Sequence, residues 1–137
     1  MARACLDSGV LIAAARGSAK LHERALAILS DSTREFVCSD YVHLEVAPKA
    51  KFHGYTEEID FHEGYFDVVG TWLRFDVEHL DRAFEEACAS GLSAWDAVHV
   101  MIAAKAGCGE FVTTERPTAP IHRTKLVCMV SIDDRLD

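Results

Sequence analysis

Residues 93–107 read SAWDAVHVMIAAKAG, the most distinctive stretch of the chain. Ser93 is suited to begin a helix, because its hydroxyl can accept a hydrogen bond from the main-chain N–H three residues later, and Gly107 is suited to end one. The body of the helix is apolar almost all round, which predicts a position in the protein interior. Asp96 and His99 are polar residues within it, and burying such side chains requires a specific role.

On both sides of this helix, short strand-like runs alternate with longer helical patterns. The predicted strands are Arg3–Leu6, Glu35–Cys38, Glu110–Thr113 and Leu126–Ile132, with Trp72–Val77 as a weaker fifth. The predicted helices are Ser8–Ala15, Ala19–Ser30, Asp40–Phe52, Thr56–Gly70, Glu78–Ser90 and Ala94–Ala106. This alternation predicts right-handed crossovers and an α/β class fold of three layers, α/β/α, around a mainly parallel sheet.

The composition is typical of one globular domain over residues 1–137. Half of the residues are apolar and 26% are charged, which suffices for a core without disulfides or a structural metal. The five cysteines include no C-x-x-C pair, which argues against a zinc or disulfide framework. No apolar run approaches the roughly 18 residues of a membrane-spanning helix, and the N-terminus does not read as an export signal, so we expect a cytoplasmic protein with no membrane partner.

The formal net charge of −8 is concentrated in one stretch, residues 57–86, which contains ten acids and two bases. The rest of the chain is balanced. This distribution argues against sequence-independent coating of nucleic acid, which depends on Lys and Arg, but it does not exclude a nuclease. We interpret the acidic stretch as a solvated helical face, with a docking site for a basic partner as the alternative.

Several acids follow predicted strands, at the edge where open parallel sheets bind ligands. Asp7 follows the first strand, Glu45 lies in the helix after the second, Asp96 opens the buried helix, and Glu115 follows the strand after that helix. Four carboxylates at one edge repel one another unless a cation lies between them, and Mg²⁺ and Mn²⁺ prefer oxygen ligands. Such an ion can activate water for in-line attack on a phosphodiester.

Each acid also has a purely structural interpretation when it is taken singly. Asp7 can cap the helix that follows it, and Asp96 can be the partner of Ser93 in a capping box. Glu45 can be a surface residue of its helix, and Glu115 can simply begin a loop. Their joint placement at one sheet edge favours a metal site, because unrelated caps and loop acids have no reason to gather there.

The histidines near these acids carry less information. We interpret His99 as a satisfied interior histidine and leave open a role in orienting Asp96. His43 is two residues from Glu45, which places the two on different faces of a helix, and it is assigned no role. The sequence contains neither a phosphate-binding P-loop motif nor a nucleophile-elbow motif.

Four segments together resemble the PIN domain family and, in length and layout, the VapC-type toxins. They are ACLDSGVLIAAARG (4–17), SDYVHLEVAPK (39–49), SAWDAVHVMIAAKAG (93–107) and FVTTERPTAP (111–120). The resemblance implies a five-stranded parallel sheet in the order 3-2-1-4-5 and a Mg²⁺- or Mn²⁺-dependent ribonuclease centre. It also implies a homodimer and, in many members, control by a cognate antitoxin.

The resemblance transfers to individual positions of this chain. Residues that match the family's site acids and neighbouring hydroxyls are Asp7, Glu45, Asp96, Ser8 and Thr114. The chain departs from the family at the fourth acid, where many members have aspartate after the threonine pair. Here the residue is Glu115, whose longer side chain can reach a metal ion or its water.

These observations lead to one main hypothesis and two alternatives. In the main hypothesis the protein is an endoribonuclease in which Asp7 and Asp96 hold a divalent metal, and Glu45 and Glu115 complete the site through direct or water-mediated contacts. Candidate phosphate contacts are Lys49, Lys51 and Arg116. The first alternative is a non-catalytic PIN-like module that binds RNA or protein. The second is a receiver-like phospho-acceptor, which only Asp7 and Lys125 approximate.

Overall fold

The computed structural model describes residues 2–133 and 135 and contains one sheet of five parallel strands. The strands are β1 (Ala2–Leu6), β2 (Arg34–Ser39), β3 (Thr71–Leu73), β4 (Glu110–Thr113) and β5 (Cys128–Ser131). Their order across the sheet is β3-β2-β1-β4-β5, and every neighbouring pair is parallel. The predicted fold class and strand order are confirmed, and the carboxyl ends of all five strands lie at one edge.

Six α-helices within the described residues connect the strands. They are α1 (Ser8–Ala15), α2 (His22–Leu29), α3 (Asp40–His53), α4 (Thr56–Val68), α5 (Glu78–Ser90) and α6 (Ala94–Lys105), and a 3₁₀ turn follows at Pro120–Arg123. The bounds of α1 and α5 agree with those predicted. No single described helix has the length and apolar character needed to cross a membrane; α5 and α6 meet that test only when taken together, across a bend of 110°.

Some elements are shorter than their sequence patterns predict. The strand predicted over 72–77 stops early because the Asp40 carboxylate accepts a hydrogen bond from the main-chain N–H of Phe75 (2.7 Å), which draws the chain away from the sheet. The helix predicted over 19–30 begins late because a turn closed by the Ala19 carbonyl precedes it. β5 is likewise shorter than its apolar run. These differences lie at element ends, where local contacts decide the bounds.

The core lies on both faces of the sheet, which confirms the three-layer arrangement. On one face α6 is buried continuously over residues 97–103. On the other face α1 contributes Val10 and Leu11, both fully buried. α1 leaves β1 directly, and α6 leads into β4 through a tight turn at Gly107, so both helices begin at the carboxyl edge of the sheet. The acids at their starts, Asp7 and Asp96, are thereby brought to the same edge.

Candidate active site

Asp7 is the first residue beyond β1 and is held from β4. Its main-chain N–H donates to the Val112 carbonyl (2.8 Å), and its Oδ2 accepts a hydrogen bond from the Thr113 hydroxyl (2.8 Å). Asp7 stands at the N-cap position of α1, but its side chain makes no capping hydrogen bond. The structure therefore does not support the interpretation of Asp7 as only a helix cap.

Thr113 is a buried hydroxyl of the site that no sequence motif singled out. Besides donating to Asp7, it accepts a hydrogen bond from the main-chain N–H of Glu115 (3.0 Å). One hydroxyl thus joins the acid of β1 to the loop after β4. Thr114, the hydroxyl predicted from the resemblance, instead lies against Gly9, where a Cβ would collide with Thr114 Oγ1. Glycine at position 9 is what allows the first turn of α1 to pack this closely on the end of β4.

Glu45 lies on α3, where its carboxylate approaches a buried histidine of α6. His99 Nε2 is 3.4 Å from Glu45 Oε1, and the His99 side chain is only 4% exposed. This contact, together with Ser8 and Lys49, holds the pKa of Glu45 below its usual value although partial burial opposes the shift. Neither ring nitrogen of His99 has an aligned hydrogen-bond partner among the described residues, which contradicts its interpretation as a satisfied interior histidine, so its approach to Glu45 is a close contact and not an aligned hydrogen bond. His99 thus faces Glu45, whereas the role left open from the sequence concerned Asp96.

Asp96 lies in the first turn of α6, where its main-chain N–H donates to the Ser93 hydroxyl (3.3 Å), as the capping pattern predicts. The pKa of the Asp96 carboxyl is raised, mainly by burial and then by the negative charges of Asp7 and Glu45. Ser93 and His99 oppose the shift only in part. The carboxylates of Asp7, Glu45 and Asp96 therefore share one electrostatic environment.

Glu115 is connected to this site through its main chain. Its N–H is bound by Thr113, and its carbonyl accepts a hydrogen bond from the Ser131 hydroxyl (2.6 Å). Its side chain is exposed, and it is not among the groups that shift the pKa of Asp96. The structure thus places Glu115 at the rim of the environment that the other three acids share.

The three predicted phosphate contacts have different surroundings. Lys49 is exposed one helical turn after the acid of α3 and lowers the pKa of that acid. Lys51 Nζ lies 3.8 Å from a carboxylate oxygen of Glu63 on α4, and Arg116 Nε lies 3.9 Å from one of Asp133. Lys49 is therefore the best placed of the three to meet a phosphate at the site.

The donor set fits a hard divalent cation in its chemistry. The acids supply carboxylate oxygens, which Mg²⁺ and Mn²⁺ prefer, and their repulsion already raises the pKa of Asp96. A cation between them would relieve that repulsion. Within residues 2–133 and 135, however, no group of three or more His, Cys, Asp or Glu side chains is arranged closely enough to hold a metal ion. The acids influence one another electrostatically, but the described side chains are not arranged to coordinate an ion.

The model of the PIN domain family matches the chain over residues 4–116, a span that contains Asp7, Glu45, Asp96 and Glu115. The chain belongs to the PIN domain family. No curated protein sequence matches this PIN domain significantly.

Solved structures with a similar fold come from several bacteria. VapBC2 from Rickettsia felis, bound to a DNA fragment from its promoter, is 10% identical with a TM-score of 0.71, and the match covers 94% of this chain and 98% of that one. DNA-bound VapBC from Salmonella typhimurium is 14% identical with a TM-score of 0.70, covering 96% and 99%. VapC20 from Mycobacterium tuberculosis, a toxin that cleaves the sarcin-ricin loop, is 14% identical with a TM-score of 0.67, covering 79% and 86%. At these identities the likeness shows a shared fold.

Proposed function

We propose that this PIN domain is a divalent-metal-dependent endoribonuclease and the toxin of a type II toxin–antitoxin pair. The observation that carries the chemistry is the shared electrostatic environment of Asp7, Glu45 and Asp96 at the carboxyl edge of the sheet. The fold likeness to VapC20, a toxin that cleaves the sarcin-ricin loop, favours RNA as the substrate.

In this proposal Asp7 and Asp96 hold Mg²⁺ or Mn²⁺, with Glu115 in reach from the rim. When bound, the cation supplies positive charge that offsets the carboxylates and a phosphate, and it lowers the pKa of a water molecule. The hydrogen bond from Thr113 fixes the Asp7 carboxylate for this task. We expect the carboxyls of Asp7 and Asp96 to draw together around the cation.

Glu45 takes part in the proton transfer from the attacking water. Because the His99 contact holds its pKa low, Glu45 is ionised at neutral pH and can accept a hydrogen bond from the attacking water. Lys49, one turn away, contacts the phosphate. Attack in line on phosphorus breaks the bond to the 3′ oxygen, which takes up a proton, so the products carry a 5′-phosphate and a 3′-hydroxyl.

The toxin assignment brings two partner proposals. The first is a cognate antitoxin, supported by the fold likeness to VapBC structures from Rickettsia felis and Salmonella typhimurium. The second is a homodimer, which rests on the family resemblance. A small antitoxin-like reading frame directly upstream of the gene would support the first proposal, and light scattering of the purified chain tests the second.

A PIN-like module that binds RNA or protein without cleaving it is the second candidate. It is favoured by the exposed position of Glu115 and by the lack of a three-donor cluster among the described residues. In that case the same surface binds its partner, but the acids do not gather an ion.

An RNA cleavage assay separates the two candidates. We expect the purified protein to cleave single-stranded RNA in Mg²⁺ or Mn²⁺ and not in chelator, and we expect Asp7→Asn to be folded but inactive. Undiminished cleavage in chelator would contradict the metal mechanism. Failure to cleave a broad RNA panel with either metal would favour the binding module.

A further inference from the structure

Trp95 places a large aromatic ring beside the acids instead of in the core. It directly precedes Asp96 in the first turn of α6, and it is 43% exposed. Its indole lies against the buried imidazole of His99, with ring centroids 5.8 Å apart and planes inclined by 29°. The protein thus supports one side of the ring, while a large part of the ring remains open to solvent.

The other tryptophan of the chain is held in a different way. The Trp72 indole N–H donates to the Asp40 carboxylate (2.8 Å), and its ring meets Phe66 edge to face (5.6 Å) and contacts His43 (6.1 Å). Trp72 is therefore fixed by a hydrogen bond and by aromatic neighbours. Among the described residues Trp95 has one aromatic neighbour, His99, and it leaves apolar area in water that a ligand could favourably cover.

The groups around Trp95 fit a nucleotide. Its supporting histidine is 3.4 Å from Glu45, so the ring lies beside the carboxylates, and Lys49 stands one turn farther along α3. Every nucleobase has a π face that can stack on an indole, and stacking of this kind is how proteins hold single-stranded nucleic acid. A protein partner covering the ring would also have to desolvate the neighbouring carboxylates, which is costly without paired cations.

We propose that the exposed face of Trp95 is a stacking platform for an unpaired nucleobase next to the phosphodiester that is cut. This inference rests on the proposed ribonuclease function and adds the residue that binds a base of the single-stranded substrate beside the cleaved bond. A base inside a duplex is stacked between its neighbours and cannot lie on the indole. His99 is a positioning residue here, because it supports the ring from the buried side.

The presence of only two tryptophans permits an optical test. In Trp72→Phe the only tryptophan is Trp95, and in the matched control Trp95→Phe it is Trp72. Both are made in an Asp7→Asn background, so that the strand is bound in Mg²⁺ without being cut. The probes are a short single-stranded oligoribonucleotide and the same strand annealed to its complement. Circular dichroism checks that each variant is folded.

We expect the single strand to quench the fluorescence of the protein that retains only Trp95 and to leave the Trp72 control unchanged, with little effect of the duplex on either. Trp95→Ala should weaken binding of the single strand by about tenfold or more, and Trp95→Phe should recover part of the affinity because it keeps an aromatic face. With Asp7 intact, the same Trp95→Ala change should raise KM for cleavage more than it lowers kcat.

The outcomes separate this inference from the nuclease proposal. Quenching of Trp95 by single-stranded RNA in a protein that cleaves nothing would support the platform and contradict the nuclease. RNA cleavage with unchanged Trp95 fluorescence and with parental RNA affinity in Trp95→Ala would support the nuclease and contradict the platform. A Trp95→Ala protein whose oligomeric state changes while its RNA affinity does not would assign the ring to a protein interface, which also overturns it.

Discussion

Replacing Thr113 with valine removes one hydroxyl and keeps the shape of a fully buried side chain. That hydroxyl donates to Asp7 Oδ2 (2.8 Å) and accepts from the Glu115 N–H (3.0 Å). A hydrogen bond to a charged group contributes about 1.5–3 kcal/mol and a neutral one about 0.5–1.5 kcal/mol. Because the partly exposed Asp7 carboxylate can regain water, we expect a net loss of about 2 kcal/mol in the free energy of unfolding. For a chain of this length, that is a fall in Tm of about 6–10 °C.

Calorimetry and the RNA cleavage assay measure the two consequences of Thr113→Val. Cleavage should fall about 10- to 100-fold, because Asp7 loses the partner that fixes its orientation. Thr113→Ser keeps the hydroxyl and should restore most of both properties. Thr114→Val is the matched control, since its hydroxyl faces Gly9, and it should stay close to the parent. A Thr113→Val protein with parental Tm and activity, or equal losses in both valine variants, would refute the reasoning.

Three further changes test other parts of the account. Asp96→Asn should keep or raise the Tm at pH 7, because the Ser93 cap uses a main-chain N–H and the raised pKa means that the ionised Asp96 carboxyl costs stability. Cleavage should fall about a hundredfold or more. In a calorimetric pH series, the Tm of the parent should rise relative to that of the variant as pH falls. A stable, fully active variant would remove Asp96 from the site. In calorimetric titration, Glu115→Asp should retain the Mn²⁺ affinity and Glu115→Gln should lower it. Both variants should stay within roughly 0.5 kcal/mol of the parent in stability, because the side chain is exposed. Equal Mn²⁺ affinities would exclude Glu115 from the metal site. Burial raises the pKa of the Cys38 thiol to about 12, so iodoacetamide should label exposed Cys88 long before Cys38 in a mass-spectrometric time course, and similar rates would contradict the buried placement.

The sequence predicts the fold well because the features that define it are local. The period of apolar residues changes between strands and helices within a few residues, and Ser93 and Gly107 mark the start and end of the buried helix by their own hydrogen-bonding and backbone preferences. Asp7 and Asp96 follow from the same reasoning, because each stands at the start of an element that must begin at the carboxyl edge.

The contacts that complete the site depend on packing between distant segments, and no local pattern specifies them. The choice of Thr113 over Thr114 as the partner of Asp7 depends on where β4 ends and on how closely α1 approaches at Gly9. The pairing of His99 with an acid of α3 depends on how two helices from different parts of the chain cross. The ion pairs of Lys51 with Glu63 and of Arg116 with Asp133 likewise join different segments of the chain.

The position of a bound ion tests the metal centre most directly. Crystals grown with Mn²⁺ would reveal the ion by its anomalous scattering. We expect a peak about 2.1 Å from carboxylate oxygens of Asp7 and Asp96, with Glu45 in direct or water-mediated contact. A peak bound elsewhere, or none at these acids in a protein that cleaves RNA in the same Mn²⁺ solution, would contradict it.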